Sequence, residues 1–113
     1  MAATFELKTT GDSIFQFDFY NGKGDQLMMS AEFASKSEAE QAIQEVRVGS
    51  MMSDMIAVGT GPEGEKFFVI KNRGGQVLVK SVLFENEMVF NNALHSVRDN
   101  ACIAQVKDCT AVS

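Results

Sequence analysis

The feature of this sequence that most constrains its fold is an internal repeat. Aligned with itself at an offset of 51 residues without a gap, the chain is identical at ten positions within residues 3–52: Thr9/Thr60, Phe17/Phe68, Asn21/Asn72, Gly24/Gly75, Leu27/Leu78, Ser30/Ser81, Phe33/Phe84, Ala42/Ala93, Val46/Val97 and Arg47/Arg98. A fixed period indicates repeated units, none of which buries its apolar face alone. Two copies are too few for a solenoid. The repeat therefore predicts one domain of two halves, at about 3–52 and 53–110.

The first copy is predicted to form three strands and a helix. The strands are 4–8, 14–20 and 25–31, and in the second of them Phe15, Phe17 and Phe19 alternate with polar residues and point inward. Glycine-rich turns at 11–13 and 21–24 separate the strands. Either Ser35 or Ser37 can cap the helix, because each has a glutamate three residues later, and Gly49 is predicted to end it.

The second copy has the same order of elements. Strands are predicted at 53–60, 66–71 and 76–82, Asn86 caps a helix that Asn100 ends, and a closing strand spans 102–109. The predicted class is therefore α+β: two tandem β-β-β-α repeats with a closing strand, which form one antiparallel sheet of about seven strands with both helices on one face. Tyr20, Lys71 and Lys80 predict a polar outer face, which is either solvated or covered by a partner.

The second copy resembles a known family. Phe67 to Lys71, then Gly75 to Leu78, Ser81 and Phe84 are similar to the repeat of the YegP-like family (DUF1508, formerly UPF0339), and the first copy matches at Phe15, Phe17, Phe19, Gly24, Leu27, Ser30, Phe33, Ser35 and Ile43. The chain departs from the family pattern where Lys23 and Gly74 replace an asparagine, and where Ser35-Lys36 and Asn86-Glu87 replace a serine pair. The resemblance implies β3-α units with a closing strand that crosses to the other half. It implies no reaction, because the family is uncharacterised.

Charge and cysteine content narrow the class of function. A net charge of -5 argues against binding to nucleic acid or to an anionic membrane. The start of the chain has no basic and apolar segment typical of a signal peptide, and no apolar stretch approaches the length of a membrane span. Cys102 and Cys109 would lie on opposite faces of one strand, and two free, buried or half-buried thiols are typical of a reducing cytosol. We therefore predict a cytoplasmic protein.

Four groups of residues could take part in catalysis or binding, but structural roles explain them better: a glycine motif, the histidine, the cysteines and the methionines. Gly59 to Gly64 matches G-x-G-x-x-G but precedes a strand, whereas a dinucleotide site needs a following helix. His95, the only histidine, has no triad context and cannot complete a zinc site with Cys102 and Cys109. The clustered methionines favour core filling over an adaptable contact surface: Met28, Met29, Met51, Met52 and Met55. We predict no catalytic, cofactor-binding or metal residues.

The polar residues that both copies retain carry the remaining functional hypotheses. Asn21 and Asn72 suit turns, and Ser30 and Ser81 can satisfy backbone groups at the strand-to-helix junction. Arg47 and Arg98 suit the negative ends of their helix dipoles.

The leading hypothesis is a binding or interaction module rather than an enzyme, with an unknown protein or small molecule as partner and a homodimer as a candidate assembly. The alternative is a small enzyme with a site on the pseudo-twofold axis between the repeats, near Ser30, Ser81, Arg47 or Arg98.

Overall fold

The computed structural model describes residues 3–9 and 14–110 and contains seven strands and two α-helices. The predicted turn at 11–13 lies outside the described residues. The elements, in chain order, are β1 (Thr4–Thr9), β2 (Phe15–Tyr20), β3 (Gln26–Ser30), α1 (Lys36–Gly49), a 3₁₀ turn (Ser53–Met55), β4 (Ile56–Thr60), β5 (Lys66–Lys71), β6 (Val77–Ser81), α2 (Glu87–Asn100) and β7 (Gln105–Asp108).

The seven strands form one sheet in the order β4-β5-β6-β3-β2-β1-β7. Strands β1 to β6 pair antiparallel, but β7 pairs parallel with β1, so the sheet is mixed and the prediction of a fully antiparallel sheet is corrected at this edge. The reason lies in the chain path. β7 follows α2 in the same way that β4 follows α1. It therefore runs in the direction that the first strand of a unit takes. Because β1 already occupies the place beside β2, β7 pairs outside β1 in the same direction.

The two units use the same local interactions at positions 51 residues apart. Asn21 Oδ1 accepts hydrogen bonds from the backbone N–H groups of Lys23 and Asp25, and Asn72 Oδ1 accepts them from Gly74 and Gln76. The two turns are completed by Gly24 and Gly75, whose φ angles of 87° and 83° favour glycine. Asn86 caps α2, as predicted, by accepting from Val89 N–H. In α1 the cap is Ser35, which accepts from Glu38 N–H, rather than Ser37.

One hydrophobic core lies between the helices and one face of the sheet. Phe17 stacks on Phe33 at a centroid distance of 6.1 Å, and Phe68 stacks in the same way on Phe84 at 6.5 Å. Both helices contribute buried residues to this single core: Ala39, Ala42, Ile43, Val46, Phe90, Ala93 and Val97. Phe17 and Phe19 are fully buried, as predicted, whereas Phe15 is half-buried at the start of its strand.

Two predicted strands begin three residues later in the structure, and one predicted helix end has a different cause. Residues 53–55 form a 3₁₀ turn, so β4 begins at Ile56 rather than at 53. β7 spans only Gln105–Asp108, which leaves Cys102 in the preceding turn and Cys109 beyond the strand. Gly49 is the last residue of α1 but has no positive φ. It is required by space, because a Cβ there would lie 2.8 Å from Cγ2 of Ile70.

Candidate functional site: the open sheet edge

The hydroxyl groups of the two repeat-matched serines form hydrogen bonds with the backbone. Ser30 Oγ accepts from Phe17 N–H at 2.9 Å and donates to the Ala31 carbonyl at 2.7 Å. Ser81 Oγ makes the corresponding bonds with Phe68 N–H and the Val82 carbonyl. Both residues are buried. Each hydroxyl therefore satisfies backbone groups at a strand end, and neither faces a cavity that could hold a substrate.

The two repeat-matched arginines differ. Arg47 donates from Nη2 to the Ala104 carbonyl at 2.7 Å, and its guanidinium lies 5.9 Å from the ring centroid of Phe5. Arg98, the matching residue of α2, is exposed. Ser30, Ser81, Arg47 and Arg98 thus do not converge on one pocket. The contrast between the arginines instead points to a difference between the two edges of the sheet.

The other candidate residues also occupy structural or exposed positions. His95 is exposed and lies 3.1 Å from Asp99 on the same helix. Cys102 is half-buried and Cys109 exposed, so the prediction of two buried or half-buried thiols is wrong for Cys109. The Gly59–Gly64 motif ends β4 and forms the β4–β5 turn, with Gly64 at a φ of 86°. Across residues 3–9 and 14–110, no cluster of histidine, cysteine or carboxylate side chains could hold a metal ion.

The methionines divide between the core and the surface. Met28 is fully buried, whereas Met29 and Met51 are exposed. Met52 and Met55 line a groove of about 340 Å³ between the end of α1 and the β5–β6 turn. Core filling therefore accounts for only part of this cluster.

Two further grooves lie where the hairpin of one unit meets the helix of the other. The β2–β3 turn and α2 enclose about 740 Å³, and the matching groove between the β5–β6 turn and α1 encloses about 400 Å³. The larger groove has Lys23, Asp25 and Gln26 on one wall and Val89, Asn92 and Ser96 on the other. The ionisable side chains on these walls are Lys23 and Asp25 in the larger groove and Glu38 and Glu45 in the smaller one, and the lining residues include no histidine or cysteine.

One edge of the sheet is capped by β7. Gln105 N–H donates to the Ala3 carbonyl at 3.3 Å, and Cys109 N–H donates to the Leu7 carbonyl at 2.7 Å. Lys36, at the start of α1, forms an ion pair with Asp108. The hydrogen bond from Lys36, together with the weaker ones from Thr110, holds the pKa of Asp108 well below its ordinary value, while the bond to Asp108 raises the pKa of Lys36.

The opposite edge is β4, and within the part of the chain that the structure describes no strand pairs with its outer side. Gly61 N–H donates to the Glu65 carbonyl, and Gly59 and Ala57 are the residues of β4 that continue this hydrogen-bonded alternation with β5. Among the alternate residues, the N–H and C=O groups of Val58 and Thr60 and the C=O group of Ile56 consequently point away from the sheet, while the Ile56 N–H donates to the Ser53 carbonyl. We call these three residues the open edge.

The side chains of the open edge are correspondingly exposed. Val58 is 58% exposed, whereas the matching residue of the capped edge, Leu7, is 0% exposed. Ile56 is half-buried, whereas the matching Phe5 is fully buried. An unpaired strand with exposed apolar side chains is a template for pairing with another chain.

The face of the sheet opposite the helices also differs between the units. In the first unit Asp18 is buried under polar neighbours, where it accepts from Lys8 Nζ at 2.7 Å and from Gln26 Nε2 at 3.3 Å. Burial and the charge of Asp18 raise the pKa of the neighbouring Tyr20.

In the second unit, the positions that match Lys8 and Asp18 are Gly59 and Val69. The Phe67 ring covers Gly59, where a Cβ would lie 2.4 Å from it, and Lys80 Nζ lies 4.7 Å from the ring centroid. The predicted polar outer face thus holds for the first unit. In the second unit the predicted Lys80 is exposed on this face, but Phe67, Val69 and the exposed Val77 make the area beside the open edge largely apolar.

Sequence reasoning missed the open edge as a site. The available signal was the number of elements, because a single closing strand follows the two β-β-β-α units and can cover only one of the two outer strands.

The helices of the structure do not extend to membrane length: no helix within the described residues is long and apolar enough to cross a bilayer. The fold and the site define a small α+β domain with one capped and one open sheet edge, and no assembled catalytic group among its described residues.

Comparison with known proteins identifies the family. No family model matches the chain. The chain is 30% identical over 110 residues to UPF0339 protein YegP of Escherichia coli O157:H7, an alignment that covers 97% of this chain and 100% of that protein. It is also 30% identical over 98 residues to UPF0339 protein PA0329 of Pseudomonas aeruginosa, covering 87% and 89% of the two chains.

Solved structures agree with this relationship. The solution NMR structure of UPF0339 protein SO3888 from Shewanella oneidensis has a TM-score of 0.92 and 24% identity, and covers 97% of this chain and 93% of that one. That of yegP from E. coli, a protein of unknown function, has a TM-score of 0.91 and 28% identity, with coverage of 100% and 97%. The chain belongs to the UPF0339 family, as the resemblance of its repeats implied, and the relatives named here are functionally uncharacterised.

Proposed function

We propose that this protein is a cytoplasmic interaction module, not an enzyme, which binds a partner polypeptide by adding an extended segment of that partner to the open edge. The observation that carries this proposal is the contrast between Val58 and Leu7, which are 58% and 0% exposed at matching places in the two units. Strand addition supplies main-chain hydrogen bonds for affinity and side-chain positions for specificity.

The surroundings of the open edge support a protein partner. The apolar outer face of the second unit lies directly beside β4 and extends the surface that a bound segment would contact. Apolar surface next to an unpaired strand is typical of a protein-binding site. The net charge of -5 supports a partner other than nucleic acid or an anionic membrane.

The alternative, an enzyme on the pseudo-twofold axis, has less support. It needs free hydroxyl and guanidinium groups at one place, but both serine hydroxyls already bond to backbone and Arg47 bonds to Ala104.

The proposal is tested by blocking the outward hydrogen bonds of β4. The N–H group of Val58 points away from β5, so Val58→Pro removes a donor of the open edge and leaves the β4–β5 bonds in place. We expect extended peptides selected by display against the full chain to bind Val58→Pro at least about tenfold more weakly, since a lost main-chain bond and a lost apolar contact each contribute.

Val58→Thr is the matched control, because it keeps a β-branched side chain and the N–H group, and we expect its affinity to stay within about threefold of the wild type. Amide NMR spectra establish that both variants are folded. Selected peptides that bind both variants equally, or a selection that enriches none, would contradict the proposal. A dimer of the chain alone that Val58→Pro abolishes would show that a second copy, and not another protein, occupies the edge.

A further inference from the structure

The contacts of β7 on β1 provide a template for what the open edge would bind. Phe5 pairs with Val106 and Leu7 pairs with Asp108, in parallel register. The matching residues of β4 are Ile56 and Val58. Both backbone groups of Val58 and the carbonyl of Ile56 point outward in the same way, whereas the Ile56 N–H donates to the Ser53 carbonyl. A segment that arrives at β4 as β7 arrives at β1 would run parallel to β4, opposite Ile56 and Val58.

The 3₁₀ turn at Ser53–Met55 limits the length of this register. The residue that matches Ala3, whose carbonyl accepts from Gln105, is Asp54, and it lies within that turn rather than in an extended strand. The usable edge is therefore Ile56–Thr60, and the strongest counterpart of the β7 bonds is the Val58 carbonyl, which matches the Leu7 carbonyl that Cys109 N–H contacts.

The helix beside each edge carries the opposite charge at the same position. At the capped edge Lys36 begins α1 and pairs with Asp108. At the open edge the matching residue is Glu87, which begins α2 and is exposed. A carboxylate in place of an ammonium favours a cation in the segment where β7 has Asp108, and it disfavours an acidic residue there.

The other end of α2 carries a donor for the same segment. Arg47 in the last turn of α1 donates to the carbonyl of Ala104, two residues before Val106. Arg98 holds the matching place in the last turn of α2 and is exposed. Glu87 at one end of α2 can thus pair with a cation, and Arg98 at the other end can donate to a backbone carbonyl. The two residues are as far apart in sequence as Lys36 and Arg47, the residues of α1 that contact β7 and the residue before it.

We propose that the open edge binds a partner segment that runs parallel to β4, with an apolar residue opposite Ile56 and a lysine or arginine two residues later beside Glu87. This inference rests on the proposed function and adds the direction and the side-chain chemistry of the partner. The β7 segment of a second copy fits poorly, since its Asp108 would face the Glu87 carboxylate.

The test uses the full chain and two synthetic peptides that differ at one residue. Both carry the sequence of residues 103–110 with Cys109→Ser; one keeps the aspartate and the other carries Asp108→Lys. We expect chemical shifts of the β4 amides to move with peptide concentration, with the lysine peptide binding about five- to tenfold more tightly than the aspartate peptide. The variant Glu87→Lys should reverse this preference, whereas Glu85→Lys, a nearby charge change outside α2, should leave its sign unchanged.

Direction is read from a nitroxide on the carboxyl end of the lysine peptide. A parallel segment broadens the amide of Thr60 more than that of Ile56, and the reverse pattern would overturn the proposed direction. If Glu87→Lys does not alter the preference, the charge rule is wrong, although Val58→Pro would still report on strand addition itself. An absence of β4 shifts at millimolar concentrations of both peptides would contradict the inference, whatever the displayed peptides show.

Discussion

The two edges of this sheet are built on matching strands, β1 and β4, but in the described part of the chain only β1 is covered by a further strand. At β1 the outward backbone groups are used by β7, and Phe5 and Leu7 are fully buried. At β4 the matching groups point outward, and Val58 is 58% exposed. The strands themselves do not explain this difference, since both are short and apolar on the helix side. The cause is the place of the strand that follows each helix: β7, after α2, pairs outside β1, whereas β4, after α1, is itself the outer strand, and no described strand pairs beyond it.

Similar units therefore need not have similar surfaces. Interior positions agree, as in the paired stacks of Phe17 on Phe33 and Phe68 on Phe84. Positions at the edges and on the outer face differ, as with Asp18 and its counterpart Val69. Interactions that hold each unit together should respond alike to substitution in both halves, and interactions at the edges should not.

The largest expected effect tests the interior equivalence. Ser30→Ala and Ser81→Ala each leave a buried backbone N–H, that of Phe17 or Phe68, without its acceptor. We expect each variant to lose about 1–3 kcal/mol of unfolding free energy, the cost of an unsatisfied buried donor. Urea denaturation measures it, and Ser37→Ala on α1 is the control, with an expected change below about 0.5 kcal/mol because that residue is exposed and makes no such bond. A cost at Ser30 several times that at Ser81 would break the comparison.

A smaller effect separates the edges. Arg47→Ala removes the hydrogen bond to Ala104 and the contact with the Phe5 ring. We expect the free energy of unfolding to fall by about 1–2 kcal/mol. This is less than the loss of a buried charged hydrogen bond would cost, because the Arg47 side chain is half-exposed. Arg98→Ala is the matched control and should change stability by less than about 0.5 kcal/mol. Equal losses in urea denaturation would show that the capped edge does not depend on Arg47.

The smallest effect is the pH dependence of the cap. The pKa of Asp108 is lowered from 3.8, so its ion pair with Lys36 contributes fully above pH 3.8 and is lost as the pH falls further. The pKa of Lys36 is raised from 10.5, so the contribution is also lost above that pH. Protection of the Cys109 amide against hydrogen exchange should therefore decline in acid in the wild type.

The control for this acid effect is Asp108→Asn, which lacks the titrating carboxylate. It should show weaker protection at neutral pH and no comparable decline as the pH falls below 3.8. Parallel acid profiles in the two proteins would assign the loss to another group.

Much of the fold could be predicted from the residues. The alternation around Phe17, the turn asparagines and the caps Ser35 and Asn86 are local signals, and the structure confirms them. The direction of β7 could not be predicted, because it depends on where the chain lies after crossing the sheet. The role of Gly49 was also misjudged, since its contact with Ile70 is made across the core and no local pattern records it.

The candidate site was harder to predict than the fold. A repeat draws attention to the residues that both copies keep, and Ser30, Ser81, Asn21 and Asn72 are kept because they satisfy backbone groups. The open edge lies at Val58, whose backbone groups carry no signal in the sequence and become available only through the order of strands. Identity between the copies therefore located structural residues, and differences between them located the surface with binding potential.

The parallel seating of β7 has a consequence for assembly. A sheet with two unpaired edges can add copies of itself at both sides and grow into a fibre. Here β7 covers β1, and its own outer side presents only four residues, with Lys107 among them. Association through β4 would accordingly stop at two molecules. By covering β1, β7 therefore limits any such assembly to a dimer.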